Sequence, residues 1–196
     1  MAERGCVPPN SSLHPPHSEK GFTMKLEKQQ QILGCMADVL NQNGFRAEVM
    51  QQEGSPLLLR CEAMRQGKVQ KDVTIECCFI PIALPGEDTG LLQFFTTLFT
   101  NVPETNFRNL RNACDYCNDF CALGHFGLFA DAGQLYLKHT TLLDSALELE
   151  QVITFFADNI SLLMASVTRF IDGLASIGFS GMPLEAAIEQ ELLPKM

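Results

Sequence analysis

The sequence predicts an α+β fold: a helix, an antiparallel β-meander, a second helix, a β-hairpin and a long third helix. Three observations predict it. Apolar residues recur at helical spacing in three separated segments. Period-two, β-branched runs closed by short Gly-containing turns fill the gaps. Of the 196 residues, 46% are hydrophobic, enough to build a core without metal or disulfide staples.

Residues 1–22 are rich in Pro, Ser, His and Gly and have no apolar period, so a disordered N-terminal tail is expected there. His14 and His17 in this tail suit no more than weak metal contact. A single domain is expected over 23–178, followed by a C-terminal helical tail over 179–196.

The first helix is predicted from Met24 to Asn43, with Thr23 as N-cap and Gly44 at the φ > 0 position after the helix. Leu26, Leu33, Met36 and Leu40 supply its apolar face. Strands are predicted at 46–52, 57–64 and 68–84, joined by the turn signals EGSP and RQGK. The segment 91–100 is aromatic and threonine-rich and reads as a fourth strand. A second helix should begin near Pro103 and run to about Cys121, with Gly124 stopping it. A hairpin follows, 125–130 and 134–143, around Asp131-Ala-Gly133. Ser145-Ala-Leu-Glu148 matches a capping box for the third helix, expected to reach Gly173 or beyond. Gly178-Phe-Ser-Gly181 reads as a turn, and 183–192 as a short last helix.

Charge excludes some functions. With 23 acidic against 14 basic residues the net charge is −9, a poor match for phosphate backbones. The apolar zone 152–171 contains Asp158 and Arg169, which argues against a membrane span. The start has no apolar signal core, so the eight cysteines are read as reduced thiols of a cytoplasmic protein.

The stretch CDYCNDFCALGH, Cys114 to His125, tests whether those thiols do chemistry. Phe107, Leu110, Cys114, Cys117 and Cys121 are spaced 3, 4, 3 and 4. At ~100° per residue they share an arc of about 80°, so the cysteines continue an apolar stripe. Cys114 and Cys121 would be ~10.5 Å apart along a helix, while two thiolates on one zinc are at most about 4.6 Å apart. Adjacent pairs would need His125 or His139 to complete a site. Cys114 and Cys117 also sit in the second half of their helix, away from the N-terminal dipole that activates thiols.

The third helix carries a stripe of Leu149, Val152, Phe156, Ile160, Leu163, Val167, Phe170 and Leu174. Ile153, Met164 and Ile171 widen it, and Phe155 and Leu162 lie off its centre. That arc exceeds what one sheet face covers, so the first or last helix, a second subunit or a bound client should cover the remainder.

The segment NLRNACDYCNDFCALGHFGLFADAGQLYLKHTTLL, followed by the apolar helix, resembles the YbjN family. The matching pieces are Asn112 and Asn118, Phe126-Gly-Leu-Phe129, Asp131 and Gly133, and Leu135-Tyr-Leu137. The wider fold resembles class I type III secretion chaperones (Tir chaperone-like), which are also small, acidic and cytoplasmic. The resemblance covers roughly residues 24–175. It implies a homodimer that binds other polypeptides through sheet edges and apolar patches, with no catalytic residues and no cofactor.

The function expected from these readings is a non-enzymatic protein-binding module, chaperone-like or regulatory, that captures a client polypeptide as a homodimer. Nucleic acid and membrane are not expected partners. Candidate protein-binding residues are Leu91, Phe94, Phe95 and Phe99 on the fourth strand, and Phe126, Leu128 and Tyr136 on the hairpin. The alternative is a metal- or thiol-dependent protein using Cys114, Cys117, Cys121 and His125.

Overall fold

The computed structural model describes residues 23–86 and 88–195, so the expected tail, with His14 and His17, lies outside the described residues. Helix α1 is Leu26–Gln42. Strands β1 Arg46–Met50, β2 Leu58–Gln66, β3 Lys71–Ile80 and β4 Thr89–Phe99 follow. A 3₁₀ turn leads into α2, Phe107–Asn118. Strands β5 His125–Phe129 and β6 Gln134–Asp144 form the hairpin, and α3 Leu149–Ser180 and α4 Leu184–Glu189 complete the chain.

The six strands form one antiparallel sheet in the order β1-β2-β3-β4-β6-β5. The α+β class and the element order are as the sequence predicts. Burial alternates along each central strand, the signature of a sheet with one face in a core. Leu59, Cys61 and Ala63 on β2 are buried, with Val73, Ile75, Cys77 and Phe79 on β3. Leu92, Phe94 and Leu98 on β4 and Leu135 and Leu137 on β6 continue the same layer. Helices α1, α2 and α3 pack on this face; their Leu33, Leu110, Cys117, Phe156 and Phe170 belong to the same core.

Helix α3 runs across the layer. Val152, Phe156, Ile160, Leu163, Val167, Phe170 and Leu174 are all buried, as their spacing predicts. Ile171 is buried too, while Leu162 remains 46% exposed. Flanking helices cover the wide arc: α1 and α2 both pack against α3. By length and composition α3 could cross a membrane, but half of its most apolar window is buried within the fold. Asp172 ties the opposite end of the sheet to it, accepting the backbone N–H groups of Lys68 at 3.0 Å and Val69 at 2.9 Å. Gly67 at that turn has φ +65°, and a Cβ there would collide with Ile171 and Asp172.

Four local expectations are corrected. Helix α1 starts at Leu26 with Lys25, not Thr23, as N-cap, because Met24 is drawn into the core beside Gly90 and Phe79. Ser145 does not cap α3. Its N–H and hydroxyl both donate to the Asp88 carbonyl, extending the β4–β6 ladder, and the helix begins only at Leu149. Helix α2 stops at Asn118, so Cys121 lies beyond it. Gly178 is not in a turn: it sits inside α3, facing Leu110 and Val102, and the helix ends at Ser180 with Gly181 left-handed. The expected boundary at 178 therefore falls within a helix. The segment after it joins the core: Leu193 is 2% exposed and closes on Gly173, and Tyr116 donates to the Pro194 carbonyl.

Two buried polar features bear on stability. The Thr96 hydroxyl, between Phe94 and Leu98 on β4, is the one buried side-chain polar atom without a partner among the described residues. Desolvating an unpaired hydroxyl costs about 1–3 kcal/mol. Thr96→Val should therefore stabilise the fold by about 1 kcal/mol, read as a raised urea midpoint at unchanged m-value.

His139 on β6 stacks on Phe94 with ring centroids 6.0 Å apart. Burial pushes its pKa below the usual histidine value, against an opposing hydrogen bond that the ring donates to Asn159. The unfolded chain thus takes up the proton first. This contribution to stability is complete above about pH 6.5 and is lost as pH falls through the folded value. The unfolding free energy should fall as the pH drops below about 6.5, and His139→Gln should shrink that fall.

Candidate functional site

The second face of the sheet carries none of the buried core residues, and its side chains are half-buried or exposed. Register aligns them into rows across the strands. One row reads Glu48, Arg60, Glu76, Phe95, Lys138 and His125 from β1 to β5. On one side of it lie Glu62, Thr74, Thr97, Tyr136 and Gly127. On the other lie Leu58, Cys78, Gln93 and Thr140, then Ile80, Leu91 and Leu142.

An aromatic cluster stands on the β4–β6–β5 half. Phe95 stacks on Tyr136 at 5.0 Å and on Phe129 at 6.0 Å, and Phe129 lies 4.4 Å from Tyr136. Gly127 makes room for it: a Cβ there would lie 2.5 Å from the Tyr136 ring. The ring in turn covers a glycine that has no side chain of its own to pack. Phe129 stays 46% exposed and Leu142 58%. On the β2–β3 side the ion pair Arg60–Glu76, at 4.0 Å, is half-exposed and contributes little by itself. A hollow of about 380 Å³ opens beside it, lined by Asp72, Thr74, Thr97 and Gln134.

Both sheet edges are closed by the same device. On β1, the Ala47 N–H donates to Asn41 Oδ1 and the Asn41 amide donates to the Ala47 carbonyl, both at 2.9 Å. On β5, the Phe126 N–H donates to Asn118 Oδ1 at 2.6 Å and the Asn118 amide donates to the Phe126 carbonyl at 3.1 Å. In each case the carboxamide at a helix end presents the donor and acceptor that a further strand would offer. Alternation leaves Val49 as the other outward-facing residue of the five-residue β1, and Leu128 as its counterpart on β5. Expected capture by strand addition meets an occupied site at both edges.

The seven candidate binding residues divide by strand alternation, except Phe99, which the register shift after Thr97 turns into the core. Leu91, Phe95 and Tyr136 share the second face. Phe94, Phe99 and Phe126 are buried at 0%, 7% and 3% exposure, in contact with Phe156, Phe179 and Phe170. Leu128 packs against the core. Phe129 and Leu142 were not among the candidates. Alternation from Tyr136 through Lys138 and Thr140 would have found Leu142, and the antiparallel hairpin would have placed Phe129 beside Tyr136.

The cysteine cluster is core. Cys114 and Cys117 are 2% and 0% exposed. Burial pushes the Cys114 thiol up to about 12 and the Cys117 thiol well above its usual value. Cys121 is half-buried; burial raises it too, partly offset by a Ser166 hydrogen bond and Arg169. His125 pairs in register with Lys138, so strand alternation sends it and His139 to opposite faces. Among the described residues no group of three or more His, Cys, Asp or Glu side chains is gathered as metal ligands.

No protein-family model matches this chain, and no curated protein matches it either.

Removing an edge amide leaves one backbone donor and one acceptor without their partner. Asn118→Ala should cost about 1–2 kcal/mol in urea unfolding, more than Asn41→Ala, whose site is solvent-exposed.

Proposed function

We propose that this chain is a non-enzymatic protein-binding module, chaperone-like or regulatory, whose contact surface is the second face of its sheet rather than the sheet edges. The observation that carries the reading is the aromatic cluster Phe95, Phe129 and Tyr136 standing outside the core, on the same face as Leu91 and Leu142 beyond the Gln93–Thr140 row. Aromatic residues held rigidly at the surface give large contact area at low entropic cost, which is what a protein interface uses. Lys138 stands in the middle of this half, so a partner that meets it with a carboxylate is favoured over one that leaves its charge buried and unpaired. The resemblance to secretion chaperones points to the same class of task, with the mode of capture moved from edge to face. No comparable observation favours the metal- or thiol-dependent reading, since burial accounts for the spacing of Cys114 and Cys117.

The test is equilibrium binding of a fluorescent extended polypeptide, reduced and carboxymethylated so that it stays unfolded. Phe129→Ser and Leu142→Asp should each weaken binding about tenfold or more while the chain stays folded at the temperature of the measurement, because both side chains are largely exposed. Asn118→Asp, which alters only the β5 edge, should change binding little. Equal binding by wild type and both face variants would remove the reading.

A further inference from the structure

We infer that Asn43 is a site of spontaneous backbone rearrangement, in which the Gly44 nitrogen attacks the Asn43 carboxamide and the product releases the β1 edge. Of the nine asparagines in the chain, Asn43 alone is followed by glycine. In the first step the Gly44 nitrogen gives its proton to solvent and bonds to Asn43 Cγ. The Cγ–Nδ2 bond breaks, ammonia leaves, and a cyclic imide remains. Water then opens the ring. Attack at the side-chain carbonyl gives aspartate, and attack at the main-chain carbonyl gives isoaspartate, in which the chain runs through the former side chain. The net change is ammonia out and water in, with no oxidant or cofactor required.

The fold leaves this pair open to reaction. Asn43 is the C-cap of α1, with φ −98° and ψ 17°, and Gly44 is left-handed at φ +85°. Both are exposed. A Cβ on Gly44 would meet nothing within 4 Å, so no packed neighbour screens the attacking nitrogen. Its N–H reaches the Asn41 carbonyl at 3.3 Å, a long bond that constrains it little. The Asn43 amide donates to the Val39 carbonyl at 2.8 Å, and this bond must open for Cγ to swing onto the Gly44 nitrogen. It closes an exposed last helical turn, where local opening costs close to nothing. Other asparagines are better guarded. The amides of Asn41 and Asn118 are held at both ends, by Ala47 and Phe126. Asn106 is tied to the Gly178 carbonyl. Asn159 is buried, and the branched side chain of Ile160 crowds the nitrogen that would attack.

The products act on what the turn holds. A carboxylate at Asn43 cannot donate to the Val39 carbonyl. It also adds negative charge at the negative end of the α1 dipole, and no basic residue stands in that last turn to offset it. Isoaspartate goes further, because it lengthens the backbone by a methylene between Asn41 and Ala47. Those two residues close the β1 edge across the turn, through paired bonds of 2.9 Å. Both bonds are exposed, and β1 is only five residues long, so little else keeps them in line. A longer connection slides Asn41 past Ala47 and frees the Ala47 N–H and carbonyl, the groups that a further strand would take. The rearrangement thus opens one edge of the sheet irreversibly, while Asn118 keeps the β5 edge closed.

Peptide mapping by mass spectrometry tests the site on the full chain, aged in one mildly alkaline buffer with and without denaturing urea. The peptide carrying Asn43 should gain the mass of an ammonia-for-water exchange, and enzymatic methylation of isoaspartate should label it. The native rate should lie within about tenfold of the rate in urea, because only the last turn must open. Asn43→Gln, whose attack would have to close a larger ring, should remove both signals from that peptide. In the aged native protein, the Ala47 amide of the isoaspartate fraction should exchange with deuterium about tenfold or more faster than in fresh protein, and the Phe126 amide should not change. A native rate more than about tenfold below the urea rate shows that the fold protects Asn43 and overturns the site. Unchanged exchange at Ala47 in the isoaspartate fraction overturns the release of the edge.

Discussion

The contact between α3 and the buried face of the sheet is the one on which the other elements depend. Phe156 meets Phe94 edge-on at 5.0 Å, and Phe170 meets Phe126 at 5.6 Å and 89°. Each fully buried phenyl ring is worth roughly 1.5–3 kcal/mol, before the edge-to-face geometry adds its share. Around this axis the neighbouring elements are seated at points of close approach. Leu163 lies against Gly124 at the entry to β5, Leu110 faces Gly178, and Leu193 closes on Gly173. Glycines at these places let backbone approach helix, so α2, the hairpin and the C-terminal segment are all positioned by α3. Asp172 fixes the β2–β3 turn from the same helix.

A helical layer anchored to one face of the sheet has a direct consequence. Every residue of a strand that points into the core has two neighbours that point away. The sequence therefore cannot make one face aromatic without deciding what stands on the other. Along β4, even-numbered Leu92, Phe94 and Thr96 go in, and Leu91, Gln93, Phe95 and Thr97 go out. Tyr136 and Phe129 join Phe95 because pairing in the hairpin brings them to the same side. The cluster is a product of register, and register here is fixed by how deeply Leu135, Leu137 and Phe126 are buried.

Much of this was legible in advance. The helical stripes of α1 and α3, the four successive strands and the hairpin each follow from local periodicity, and the structure realises them in order. The placing of the cysteine stripe in the core was legible for the same reason. Caps and ends were less so. Thr23 and Ser145 have the chemistry of N-caps, but tertiary demands on Met24 and on the Ser145–Asp88 bonds won. The binding face was half legible. Phe94 and Phe95 are adjacent and equally apolar, and nothing local says which one faces the core; that is set by the strand pairing at long range. The edge amides were not legible as such, because Asn41 meets Ala47 and Asn118 meets Phe126 only once each helix turns back beside its following strand.

Closed edges and an open face belong together. A sheet with two free edges can pair at both, and pairing of that kind continues from copy to copy without limit. Here the two edges carry side-chain amides where a new strand would dock, one on β1 and one on β5. The face is different in kind. It is single, and it offers side chains rather than unpaired backbone groups. Aromatic area that would be a hazard on an edge strand is thus carried away from the unpaired backbone groups that template strand addition.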